Sequence, residues 1–243
     1  MLTFFSLGEP FFEKKLQSLG APADRLKICG MPASDELFNR VGHQGLKNTD
    51  PGRPVCLVLS HTNDRLEEPA MFATFARFIQ KIIPLLPDVQ WRIRLHPAED
   101  DSFYRELGLI GHPRVQIEKS RDVSLDSSVA EADVVCTIRS TAGLQAMMMQ
   151  RPLLILDLVP GVECSVEWPL HGGGLAVKNS EAFRMAFDEL INKSGFRGSL
   201  LRSQQAFLDK SFANKGKSAA AIVDYLGEKT LQNSKAQPST DMV

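Results

Sequence analysis

Residues 132–158, ADVVCTIRSTAGLQAMMMQRPLLILDL, decide the fold. Ala132 to Ile138 is a buried-strand run, Thr141 to Gln150 a helix, and Pro152 to Leu158 a strand again. The last run is almost wholly apolar, as a strand covered on both faces must be. Working outward, the same alternation recurs. Pro54 to Ser60 is a short β-branched run after the turn-rich 48–52, and Pro69 to Leu86 carries a helical apolar stripe through Phe75, Phe78, Ile79, Ile82 and Ile83. Trp91 to Leu95 and Val115 to Glu118 read as strands, with a short helix at Ser102 to Leu107 between them. Beyond residue 158, a glycine-rich stretch at 171–174 precedes a short apolar run, Leu175 to Val177. Ser180 is the expected N-cap of a helix from Glu181 to Asn192, with further helices at Leu200 to Phe212 and Ser218 to Leu226. Alternating strands and helices predict an α/β domain with a mainly parallel sheet.

The chain has 243 residues, a formal net charge of -1, 43% hydrophobic and 23% charged residues. This balance excludes a disordered or fibrous chain and a broadly basic nucleic-acid platform. No apolar stretch approaches the roughly 20 residues that span a bilayer. The start lacks a basic segment and carries Glu9 and Pro10 too early for a secretory signal. The four cysteines form no metal-ligand spacing, and Cys56 and Cys136 sit in apolar runs, which points to reduced thiols and a cytosolic compartment.

Ligands of open parallel sheets gather beyond the carboxyl ends of the strands. Four such loops carry polar residues. Ser140 and Thr141 stand where a helix begins, a place suited either to capping or to holding a phosphate on free N–H groups and hydroxyls. In Trp91-Arg92-Ile93-Arg94-Leu95-His96 the even positions are cationic or ionisable and the odd ones apolar. Two readings stay open: an edge strand with a solvated basic face, or Arg94 and His96 approaching a polar crevice. Pro97 holds His96 extended and so fixes the direction of its imidazole. Ser60 and Thr62 occupy the first loop, as ligand contacts or as turn formers. Glu163 and His171 are candidate sugar contacts, with a solvated loop and a glycine-rich turn as the alternatives. No nucleophile elbow, Walker A loop or dinucleotide fingerprint is present.

Several motifs together resemble the C-terminal, donor-binding half of GT-B-fold glycosyltransferases. Lys27-Ile28-Cys29-Gly30-Met31-Pro32-Ala33-Ser34-Asp35-Glu36-Leu37 looks like the segment leading into their second Rossmann-like domain. Arg94-Leu95-His96-Pro97 is similar to the K/R-x-H-P motif of capsule Kdo transferases, bacterial sialyltransferases and CDP-glycerol transferases. Ala132 to Ala146 with Arg151-Pro152 resembles their A-D-x-V-x-T-x-x-S-[ST] stretch, and Phe207 to Ile222 their terminal helix. The likeness extends more distantly to UDP-N-acetylglucosamine 2-epimerases. It implies a Rossmann-like, doubly wound sheet with helices on both faces, one half of a GT-B fold.

By that resemblance residues 1–50 form a linker and lead-in segment, 51–228 the nucleotide-binding domain and 229–243 a disordered tail. Ser60, Thr62, Arg94, His96, Pro97, Ser140 and Thr141 are the expected nucleotide and phosphate contacts. The expected substrate is a nucleotide-activated sugar, with a CMP-linked one as an option, and no metal or other cofactor is expected. The acceptor is a polysaccharide or glycolipid, in capsule or surface-polysaccharide biosynthesis. The place of work is the cytoplasm, with peripheral association at the inner face of the membrane as the alternative. Gln145 replaces an acidic residue common in those families, and Arg139-Ser140-Thr141-Ala142 replaces the epimerase Asp-Ser-Gly-Gly loop. The acceptor half, which commonly supplies the catalytic base, has no counterpart, so no catalytic residue is assigned. A partner chain supplying it is one expectation; an epimerase-like enzyme, a non-catalytic nucleotide-binding module and a ligand-free α/β domain are the others. Phe4, Phe5, Phe11 and Phe12 read as an interdomain segment.

Overall fold

The computed structural model describes residues 4–6, 16–41, 52–60, 69–138, 140–158 and 172–236. In chain order its strands are β1 (Phe4–Ser6), β2 (Leu26–Ile28), β3 (Val55–Leu59), β4 (Gln90–Arg94), β5 (Val115–Glu118), β6 (Val134–Thr137), β7 (Leu153–Leu156) and β8 (Leu175–Val177). The α-helices are α1 (Asp35–Val41), α2 (Pro69–Ile82), α3 (Ser102–Glu106), α4 (Leu125–Ala130), α5 (Ala142–Met148), α6 (Ser180–Asn192), α7 (Ser194–Ser211) and α8 (Ser218–Ala236). The chain divides into two compact units, one of residues 45–208 and one of residues 1–44 with 209–243.

The larger unit is a six-stranded sheet in the order β5-β4-β3-β6-β7-β8, parallel at every pairing. Helices cover both faces, which makes this a Rossmann-like doubly wound α/β fold. β6 and β7 are buried at every residue and β3 at all but its first, so their near-continuous apolar runs have apolar neighbours on both faces. The order reverses between β3 and β6, and at that point the loops after adjacent strands turn away in opposite directions and leave a crevice.

The core builds around Trp91 of β4, whose ring stacks at 6.1 Å on Phe183 and at 6.4 Å on Phe187 of α6. Phe78 of α2 meets Phe183 edge-on, and Phe75, Ile79 and Ile82 of the same stripe are fully buried. Truncating a ring at the centre of such a cluster costs about 3–5 kcal/mol. Polar side chains fix the sheet's amino ends. Asp133 Oδ2 accepts from Val55 N–H at 2.8 Å, and Gln204 both donates to Arg151 O and accepts from Leu153 N–H. Arg151 donates to the carbonyls of Val129 and Ala130, closing the carboxyl end of α4.

The smaller unit brings together two segments far apart in sequence. β1 and β2 pair in parallel, Phe4 opposite Leu26. Asp35 accepts from Ser218 N–H at 2.9 Å and Ala219 N–H at 2.8 Å, capping α8, while Asn214 donates to Cys29 O. Thus the Gly30…Asp35 motif and the Gly216-Lys217-Ser218 motif are two halves of one cap.

Four expectations change. β4 lies between β3 and β5, so it is an interior strand and the edge-strand reading falls. Its cationic face is tolerated because Arg92 pairs with Glu118 and Glu131, and Arg94 faces Glu118. The helix cap at 180 is Asn179, whose side chain accepts from Ala182 N–H at 2.8 Å; Ser180 is already the first helical residue. α8 continues to Ala236, so residues 229–236 are helical where a tail was expected. α4, opened by Ser124 as its cap, was not foreseen.

A cleft at the sheet's switch point

The residues after β3, β4 and β6 converge. Ser60, Arg94, His96, Pro97, Ser140 and Thr141 line one cleft of about 320 Å³, together with Ser120 and Leu125. Thr62, Glu163 and His171 lie outside the described residues. The volume is at the lower end of the range for small-molecule sites, about 300–1,000 Å³.

His96 is held in a reciprocal turn. Its N–H donates to Glu99 Oε2 at 3.0 Å, and Glu99 N–H donates back to His96 O at 2.9 Å. Ala98 N–H donates to His96 Nδ1 at 3.2 Å. An Nδ1 that accepts leaves the neutral imidazole's proton on Nε2, so the ring offers the cleft a donor. Ser120 ties this loop to the next strand end by donating to Leu95 O.

On the opposite side Thr137 Oγ1 accepts from Ser140 N–H at 3.2 Å, and Ser140 Oγ accepts from Ala142 N–H at 3.2 Å. Ser140 thus closes a local turn one residue ahead of the helix cap, which is Thr141 and not Ser140 as expected, while keeping its position on the cleft. A hydroxyl that accepts one hydrogen bond still has its proton to donate. Thr141 begins α5 without a side-chain cap bond. One turn further, Gln145 Oε1 is buried with no hydrogen-bond partner.

Arg94 lines the cleft, but its guanidinium is engaged from behind. It donates to Val123 O at 2.8 Å and to Ser128 Oγ at 3.1 Å, with Glu118 Oε2 at 4.0 Å. Burial pulls its pKa below the usual arginine range, and the Glu118 carboxylate opposes that pull. Glu118 is itself nearly inaccessible and accepts from Ser128 Oγ. The group therefore supplies positive potential to the cleft from a fixed place, with both of its Nη1 donors already engaged.

Two residues went unforeseen as part of the site. Tyr104 Oη lies 2.6 Å from Ser60 Oγ, and the Glu99 carboxyl sits against both hydroxyls. Burial raises Glu99 to about 7, although the Ser60 hydroxyl, the His96 N–H and the Tyr104 hydroxyl all favour its ionised form. Burial likewise pushes the Tyr104 phenol well above its ordinary range, with the Glu99 charge adding to the rise. The signal available in sequence was Glu99 three residues after His96, the spacing of a turn closed by its own side chain.

The fold and the convergence of these loop ends define a Rossmann-like α/β unit of the GT-B type. Chains of solved structure share it over almost the whole length. A putative UDP-N-acetylglucosamine 2-epimerase from Listeria monocytogenes matches 99% of this chain at a TM-score of 0.62 and 16% identity. The Methanocaldococcus jannaschii UDP-GlcNAc 2-epimerase, solved in complex with UDP-GlcNAc and UDP, matches 93% at 0.62 and 16% identity. The wall teichoic acid polymerase TagF matches 97% at 0.57 and 17% identity. This chain spans 61%, 61% and 59% of those three. No protein-family model and no curated protein sequence matches. Among the described residues no helix is long and apolar enough to cross a membrane, and no group of three or more His, Cys, Asp or Glu is placed to hold a metal ion.

Proposed function

We propose that this chain is the donor-binding part of a glycosyltransferase that uses a nucleotide-activated sugar in surface-polysaccharide synthesis. One observation carries the reading. The loops after β3, β4 and β6 place Ser60, His96, Ser140 and Thr141 around a single cleft at the point where strand order reverses. The ligand phosphates would rest between the Ser140-Thr141 turn and the His96 Nε2–H. Arg94, held by Val123 and Ser128, offsets charge that grows on the nucleotide phosphate as the glycosidic bond breaks, a fixed electrostatic contribution. The acceptor site and the base that deprotonates the acceptor hydroxyl belong to a further domain or partner chain. Calorimetric titration with CMP, CDP and UDP tests the reading; no binding at millimolar concentration overturns it.

A second reading, an epimerase-like enzyme on a UDP-sugar, is favoured by the likeness to the Methanocaldococcus enzyme that holds UDP-GlcNAc and UDP. Turnover of UDP-GlcNAc without any acceptor distinguishes it.

A further inference from the structure

The Glu99 carboxyl connects two of the loops that form the cleft, the one after β3 and the one after β4. Its Oε2 accepts from His96 N–H, its carboxyl sits against the Ser60 and Tyr104 hydroxyls, and its Oε1 is buried. Tyr104 is completely buried and Ser60 nearly so, while both Ser60 and His96 line the cleft. Burial favours the protonated form of this carboxyl and outweighs the two hydroxyls and the His96 N–H, which favour the ionised one. The other charged groups nearby do not relieve it. Asp100 beside it adds like charge and is tied to Ser102, while Lys119 pairs with Asp101 and Arg121 with Asp122.

We propose that Glu99 is the positioning residue of the His96–Pro97 loop, which it holds in the turn that leaves His96 Nε2 as the donor, and that it is neutral when an anionic ligand occupies the cleft. The first half stands on the reciprocal turn; the second rests on the nucleotide-binding reading above. With burial pushing Glu99 up to about 7, ligand binding should take up a proton, and affinity should be higher at pH 6 than at pH 8. The sign follows from the neutral form being the one that leaves the phosphate unrepelled.

The test uses the full chain with two variants. Without ligand, nitrogen chemical shifts of the His96 imidazole report which ring nitrogen carries the proton. Wild type and Glu99→Gln should show the proton fixed on Nε2, whereas Glu99→Ala should show a mixture of the two tautomers. With UDP-GlcNAc, whose phosphate diester linkages do not titrate in this range, Glu99→Ala should bind about tenfold more weakly. Glu99→Gln should keep its pH 6 affinity at pH 8, where wild type weakens several-fold. An unchanged imidazole and unchanged affinity in Glu99→Ala overturn the positioning role while leaving nucleotide binding in place. A pH 6 to pH 8 difference that survives in Glu99→Gln overturns the proton uptake. If wild type binds no nucleotide sugar but Glu99→Ala still shifts the imidazole, the positioning role holds and the nucleotide reading falls.

Discussion

Ala98 N–H points at His96 Nδ1 from 3.2 Å, and this one contact leaves the proton of the neutral imidazole on Nε2, the donor that the proposed function uses. Replacement by alanine removes that donor and should weaken nucleotide affinity about tenfold, the usual cost of one lost hydrogen bond to a charged group. His96→Gln, which carries an amide near the Nε2 position, should recover part of the loss. Titration calorimetry with UDP reads both; equal affinity in all three proteins would remove His96 from the site.

The Arg92–Glu118–Arg94 group is a buried charge network in which Glu118 sits between two guanidinium groups. Glu118→Gln leaves both arginines partly uncompensated and should destabilise the fold by about 3 kcal/mol. Urea unfolding measures this. A loss below about 1 kcal/mol would mean that solvent or neighbouring carbonyls already satisfy the arginines.

Asp35 caps α8, and its pKa is lowered: partial burial works against ionisation, but the N–H groups of Ala219, Ser218 and Gly216 outweigh it. A depressed carboxyl contributes stability that is present above its unfolded pKa, about 3.9, and is lost as pH falls through the lower folded value. Asp35→Ala should therefore cost about 1 kcal/mol at neutral pH and much less in strong acid. Thermal unfolding at the two pH values gives the comparison.

Gly30 has φ +89°, and a Cβ there would stand 2.2 Å from Ala213 O, a backbone atom that cannot swing aside. Gly30→Ala should destabilise the smaller unit by more than about 2 kcal/mol, since strain in φ and a backbone clash add. Gly20, with φ +92° but open space around it, should lose only the strain. Denaturation midpoints of the two variants rank them.

How much of this was legible varied with the range of the interaction. The apolar runs of β3, β6 and β7 announced a parallel sheet because burial on both faces leaves a composition that needs no partner to be read. Ser60, His96 and Ser140 could be singled out because strand ends mark themselves, and the sheet order then brings them to one cleft. β4 was ambiguous in sequence because a cationic face looks solvated until Glu118 and Glu131, 26 and 39 positions after Arg92, are seen against it. Tyr104 stayed invisible for the same reason: its link to Ser60 spans 44 residues and follows no local period. The caps at Asn179 and Asp35 show the two cases side by side. The first was missed by one residue within a local pattern, and the second joins segments 183 residues apart.

In the proposed function the cleft between Ser60, His96 and Ser140 binds the nucleotide part of an activated sugar. Titration of CMP, CDP and UDP into the full chain, with Ser140→Ala and His96→Ala in parallel, decides this. At least one nucleotide should bind at or below millimolar concentration, and both substitutions should weaken it with the fold unchanged. Absence of binding by wild type, or affinity that neither substitution alters, would contradict it.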